Sequence, residues 1–220
     1  MSRSEILEKL KRSIAETDSD LAAEAANEAV AAGIEPTVAV NDGLSKGMKV
    51  IGDLFDEGEV FVPQLLLAAE AFETAMGIIF GEMSEEEKSS ASQGKVLIHT
   101  VQGDIHDIGK NIVKTMMSAA GFEVIDLGRD VAVEEVIKQA KQHKVDIIAG
   151  SALMTTTMPA QRDIVSLLKE EGIRDQFKIM FGGAPVSAEW VTKIGADAYA
   201  DTASGAVEQA LALMAEKRSG

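Results

Sequence analysis

The hydrophobic period of the chain changes once, and the change falls at a short polar stretch, residues 84–94 (SEEEKSSASQG). Before it, apolar residues return every three or four positions. Ile6, Leu7, Leu10 and Ile14 form one stripe, and Leu21, Ala25 and Val30 form a second, alanine-rich one. Leu44, Met48, Ile51 and Phe55 form a third, and Leu65, Ala69, Phe72, Met76 and Ile79 a fourth. This is the spacing of helices buried along one face. Pro36 and Pro63 suit first helical turns, where a missing N–H is harmless. Four short helices with turn-length links predict a helical bundle over residues 1–83.

After the polar stretch the rule is different. Short apolar runs at 95–101, 122–127, 145–150, 177–181 and 196–200 alternate with amphipathic segments at 109–120, 133–143, 158–171, 187–194 and 203–217. Five strands, each followed by a helix, predict an α/β domain over 95–220 whose parallel sheet is covered on both faces. The usual order for such a doubly wound sheet is 2-1-3-4-5, with ligands beyond the carboxyl ends of strands 1 and 3. Residues 84–94 read as the linker between the two domains.

Composition narrows the chemistry. The 46% hydrophobic and 26% charged content excludes intrinsic disorder. Cysteine is absent, which excludes disulfides, thiol nucleophiles, iron–sulfur clusters and cysteine-ligated zinc. There is no unbroken apolar run of about 18 residues, so no transmembrane helix is expected. The N-terminus carries charges rather than an apolar signal core, and a cytoplasmic location is expected. The net charge of −15 is uneven: −10 over residues 1–83, −2 over 84–94 and −3 over 95–220. A phosphate backbone would be repelled, so nucleic acid is not an expected partner. An anionic ligand sits more easily on the nearly neutral C-terminal part.

Three loops carry unusual residues, and all are predicted on the same rim of the sheet. After strand 1 comes Gly103-Asp104-Ile105-His106-Asp107-Ile108-Gly109. After strand 3 comes Ser151-Ala152-Leu153-Met154-Thr155-Thr156-Thr157, and after strand 4 Gly182-Gly183-Ala184. Asp104 and His106 are two apart, so on an extended segment they point the same way. A carboxylate that accepts one imidazole N–H fixes the tautomer and frees the other nitrogen for a metal. His99 falls inside strand 1 and His143 near a helix end, so no second histidine reaches the rim. One imidazole cannot hold a free ion, so the metal must arrive inside a macrocycle, haem or corrin.

The pattern D-x-H-x-x-G, then S-x-L, then G-G resembles the cobalamin-binding module of B12-dependent methyltransferases and mutases, a flavodoxin-like (Rossmann-like) fold. Phe55-Asp56-Glu57-Gly58-Glu59-Val60-Phe61-Val62-Pro63-Gln64 resembles the helical cap of methyl-carrying corrinoid proteins. The strings GDIHDIGKNIV, SALMTTTM and FGGAPVS are similar to the methylamine and quaternary-amine branch of that family. The resemblance implies that His106 coordinates cobalt from below (base-off, His-on), with Asp104 and Thr157 as the relay behind it. It implies that Gly103, Asp107 and Gly109 shape the histidine loop. Ser151, Leu153, Thr155, Gly182 and Gly183 would line the slot for the nucleotide tail, and Phe55, Val62 and Leu65 would cover the upper face of the corrin.

The function so implied is a non-catalytic methyl carrier. Its cobalt(I) would take a methyl group from a tri-, di- or monomethylamine or a quaternary amine through a substrate-specific methyltransferase. Methyl-cobalt(III) would give it up through a second methyltransferase to coenzyme M or tetrahydrofolate, as in methanogenesis or acetogenesis. A reductive reactivation protein would be a third partner. The alternatives are the cobalamin subunit of a B12-dependent mutase and a B12-binding regulatory protein. The mutase subunit would not need the cap, and the regulator would need a DNA-binding domain.

Overall fold

The computed structural model describes residues 1–81 and 92–219. Of the expected linker, residues 84–91 lie outside the described residues. The chain divides into two compact units, Met1–Ser92 with Ser118–Gly121, and Gln93–Met117 with Phe122–Gly220.

In the first unit, α1 (Arg3–Ala15) starts at a Ser2 cap whose side chain accepts the Glu5 N–H while Glu5 reaches back to the Ser2 N–H. Helix α2 (Ser19–Ala31) is capped by Asp18 and buries Ala22, Ala25, Ala26 and Ala29, small side chains that allow close approach to its neighbours. A turn at Pro36–Val38 leads into a π-helical stretch, Ala39–Leu44, and on into α3 (Ser45–Asp56). Helix α4 (Val62–Phe80) starts at Pro63, packs against α1, α2 and α3, and buries Leu65, Ala68, Phe72, Ala75 and Ile79. With 19 residues and a mean hydropathy of 1.3 it is long and apolar enough to cross a membrane by length and composition alone. The search for an unbroken apolar run misses it because Glu70 and Glu73 interrupt the sequence on its exposed side. Its buried face makes it a core helix of the bundle.

The second unit is a parallel sheet in the expected order β2-β1-β3-β4-β5. The strands are β1 (Lys95–Thr100), β2 (Glu123–Asp126), β3 (Ile147–Ser151), β4 (Lys178–Gly182) and β5 (Ala198–Tyr199). The helices that follow them are α5 (Ile108–Ala119), α6 (Val133–His143), α7 (Pro159–Glu170), α8 (Ala188–Ile194) and α9 (Ala203–Ser219). Leu97, Ile148, Ile179 and Phe181 alternate onto one face and are covered by Val136, Ile137, Ile164, Leu168 and Val191 from α6, α7 and α8. Thr100 is in register with Ser151, and Ser151 with Gly182, so β1, β3 and β4 end level and their loops open on one rim.

Candidate functional site

Asp104 organises this rim. Its side chain is fully buried, yet it is a carboxylate, and burial of a charge is tolerated only with partners. It has four. Oδ1 accepts the backbone N–H of His106 at 3.0 Å and lies 2.7 Å from the His106 Nδ1. Oδ2 accepts the Leu153 N–H at 2.8 Å and the Thr157 hydroxyl at 2.8 Å. Burial pushes the carboxyl upward. The hydrogen bonds from the backbones of His106 and Leu153, the Thr157 hydroxyl and the His106 ring outweigh it and hold Asp104 well below the usual carboxylate range. An ionised Asp104 can only accept, so the His106 tautomer with hydrogen on Nδ1 is fixed and the Nε2 lone pair is free.

His106 itself points outward, its side chain 46% exposed. Nε2 has no hydrogen-bond partner among the described residues. On the same rim loops large apolar side chains are exposed: Ile105 is 62% exposed, Ile108 77% and Leu153 46%. A lone nitrogen donor on loops that expose apolar side chains suits a flat, largely apolar ring that brings its own metal. No group of three or more His, Asp or Glu that could hold a free ion exists among the described residues.

Two family models match the chain. A B12 binding domain matches residues 94–211, and a second B12 binding domain model matches residues 6–79. The chain belongs to the B12-binding corrinoid proteins. It is 48% identical to trimethylamine corrinoid protein 1 of Methanosarcina acetivorans over 97% of this chain and 99% of that one. It is 46% identical to monomethylamine corrinoid protein 1 of the same organism, over 97% of this chain and 100% of that one. In structure it resembles a chain of the methanol:cobalamin methyltransferase complex MtaBC from Methanosarcina barkeri, with a TM-score of 0.75 and 34% identity over 97% of this chain and 81% of that chain.

Within this corrinoid protein the other expected residues are distributed unevenly. Thr155 and Gly109 are exposed on the rim, and Ser151, Gly182 and Asp107 are half-buried. The Asp107 carbonyl accepts the Asn111 N–H at the start of α5. Gly103, at φ +83°, supplies the left-handed turn before Asp104. Gly183 is half-buried at φ +117°, and a Cβ there would run into the Ala152 carbonyl oxygen. It therefore serves a close approach between the loops after β3 and β4. In the helical unit Phe55 is half-buried and Val62 is 39% exposed, but Leu65 is only 1% exposed and belongs to the bundle core. The apolar side chains presented there are Phe61, Leu66 and Leu67 beside Val62.

Sequence reasoning passed over several residues that build the site. Ile105 and Ile108 fall at unspecified positions of the D-x-H-x-x-G pattern, although apolar residues in a polar loop are themselves a signal. Lys110 is buried and sits 2.7 Å from both Asp126 and Asn111, with Lys114 at 3.2 Å from the same Asp126. Burial raises the Asp126 carboxyl and the two lysines with the Gly128 N–H bring it below its ordinary value. Gln161 is buried, its amide 3.4 Å from the Gly150 carbonyl and 3.3 Å from that of Gly182, while it accepts the Trp190 indole N–H at 2.9 Å. It ties the ends of β3 and β4 together beneath the rim.

Proposed function

We propose that the chain is a corrinoid methyl carrier that binds cobalamin or a related corrinoid base-off and His-on, with His106 as the lower axial ligand. The observation that carries this reading is the pair of ring nitrogens: Nδ1 is tied to a buried carboxylate and Nε2 has no partner among the described residues, on loops that also expose Ile105, Ile108 and Leu153. When bound, the corrinoid supplies a cobalt that accepts a methyl group in its reduced state and passes it to a second acceptor. The match of the helical half to a B12 binding model supports a carrier over a mutase subunit.

The protein's own residues hold the ligand and manage one hydrogen bond chain. Asp104 keeps the imidazole oriented, so Nε2 reaches the metal without a search through rotamers. The Thr157 hydroxyl has one hydrogen and two acceptors, Asp104 Oδ2 at 2.8 Å and the Met154 carbonyl at 2.9 Å. It donates to the carboxylate while Asp104 is charged and can turn to Met154 if a proton arrives there, which makes it the outer link of the relay. Ser151, Leu153, Thr155 and Gly182 line the rim where a nucleotide tail would enter, and Gly103 and Gly109 keep backbone close to it. Phe61, Val62, Leu66 and Leu67 form an exposed apolar surface on the helical unit.

Neither the abstraction of a methyl group from an amine nor the activation of its acceptor is assigned to this chain. Both belong to partners, a substrate-specific methyltransferase and a second methyltransferase acting on coenzyme M or tetrahydrofolate, with a reductive protein that restores cobalt(I). The trimethylamine and monomethylamine relatives support a methylated amine as the source. A cytoplasmic setting fits these partners. The test is the absorption spectrum of the chain reconstituted with hydroxocobalamin, beside His106→Ala. Bands that depend on His106 are expected; identical spectra, or no retained corrinoid, would overturn the axial role.

A further inference from the structure

The loop that carries His106 is gripped from a neighbour that no motif includes. Residues 127–131, after β2, run beside residues 100–104, after β1. Thr100 donates its N–H to the Gly128 carbonyl at 2.9 Å, and Val131 donates to the Thr100 carbonyl at 3.2 Å. Between these bonds lies Asp130. Its Oδ1 accepts the Gly103 N–H at 2.7 Å, and its own N–H donates to the Asp104 carbonyl at 2.9 Å. One residue thus closes on both ends of the Gly103–Asp104 dipeptide, with side chain and main chain together.

The backbone of Asp130 makes the arrangement informative. It adopts φ +53°, the left-handed region, where glycine is unstrained and aspartate is tolerated better than most residues. A turn alone would be served by glycine there. The side chain at this position has a use, and the one bond it makes is to Gly103. Asp104 in turn holds His106 by its ring and its N–H, while the Thr100 hydroxyl donates to the His106 carbonyl at 3.2 Å. Asp130 therefore acts on the imidazole one residue removed.

We propose that Asp130 is a positioning residue for the metal ligand: its carboxylate locks the turn at Gly103 so that Asp104 and His106 present Nε2 in one fixed direction. The inference rests on the assignment of His106 as the axial ligand. It requires an acceptor oxygen at position 130 and does not require the charge.

The test compares Asp130→Gly, which keeps the left-handed backbone and deletes the acceptor, with Asp130→Asn, which keeps both. Each chain is titrated with hydroxocobalamin beside wild type and His106→Ala. Asp130→Gly is expected to bind roughly five- to tenfold more weakly, the worth of one ordinary hydrogen bond. Its spectrum should fall between those of wild type and His106→Ala, and Asp130→Asn should match wild type. Wild-type affinity and spectrum in Asp130→Gly would overturn the proposal, as would equal losses in both variants. Amide exchange of Gly103 in the corrinoid-free chain decides the clamp separately: it should quicken in Asp130→Gly, and an unchanged rate would sink the idea even if His106 proved to have no axial role. If wild type and His106→Ala do not differ, the ligand assignment fails instead. Should Asp130→Gly not accumulate, the wild-type Gly103 amide decides: protection from exchange is expected, and an unprotected amide would overturn the clamp.

Discussion

The Thr157 hydroxyl lies 2.8 Å from Asp104 Oδ2 across 53 residues of sequence, and both groups are buried. Their contact joins the loop after β1 to the loop after β3, so it belongs to the fold as well as to the proposed relay. Thr157→Val keeps the shape and deletes the donor. A buried carboxylate that loses one of its donors should destabilise the chain by about 1–2 kcal/mol, and Thr157→Ser should restore most of it. Urea unfolding of the three proteins measures this; a valine variant as stable as wild type would mean the hydroxyl is idle in the folded state.

Asp104 and His106 are expected to separate fold from function. Asp104→Ala removes the acceptor of four donors, two of them backbone groups, and should lower stability by about 3 kcal/mol or more. His106→Ala removes a side chain that is 46% exposed, and should change stability by less than about 1 kcal/mol while abolishing the His106-dependent bands of the bound corrinoid. Denaturation midpoints with the absorption spectra check both halves. Equal stability losses in the two variants would show that the imidazole is a structural group.

The legible parts of this molecule were those set by period and by short loops. The strand order follows from apolar runs separated by amphipathic segments, and the pairing of Asp104 with His106 from their spacing of two, whereas Thr157 entered only through the family resemblance. The π-helical stretch at Ala39–Leu44 escaped because one extra residue per turn leaves the downstream stripe of Leu44, Met48 and Ile51 intact. Leu65 was read as part of a ligand cover because a motif names positions, and a motif does not say which side of a helix faces inward. Asp130 and Gln161 could not be found by pattern at all. Their work is done through bonds to backbone groups in other loops, whose proximity exists only once the sheet is assembled.

His99 gives the chain an acid sensitivity that does not depend on His106 or Asp104. Its ring is fully buried in β1 beside Gly150 and Phe181, against the Ala149 backbone, with no hydrogen bond of good geometry at either nitrogen among the described residues. Burial pushes its pKa down to about 4, and Lys110 and Asp126 act on it with opposite signs. The unfolded chain takes up this proton near pH 6.5 and the folded chain only near pH 4, so stability falls as pH drops through that window. The loss is on the order of 3 kcal/mol by pH 4. Asp104, held below the carboxylate range, contributes stability that is lost only at still lower pH. Urea midpoints at pH 7 and pH 4.5 should differ in wild type and converge in His99→Leu; an undiminished difference in the variant would place the sensitivity elsewhere.

Two glycines of the rim should answer opposite questions. At Gly183 an added Cβ meets the Ala152 carbonyl, and φ is +117°, so alanine there forces the loops after β3 and β4 apart. Gly183→Ala should cost about 3 kcal/mol or more whether or not a corrinoid is present. At Gly109, in the first turn of α5, a Cβ would meet nothing within 4 Å. Alanine suits a helix better than glycine, so Gly109→Ala should stabilise the corrinoid-free chain by up to about 0.5 kcal/mol. If that open space is where the corrinoid lies, the same methyl group should weaken hydroxocobalamin binding severalfold. Gain of stability with loss of affinity would mark Gly109 as a place kept clear for a ligand. Unchanged affinity would return it to the solvent, because a residue that touches neither protein nor corrinoid has no part in the site.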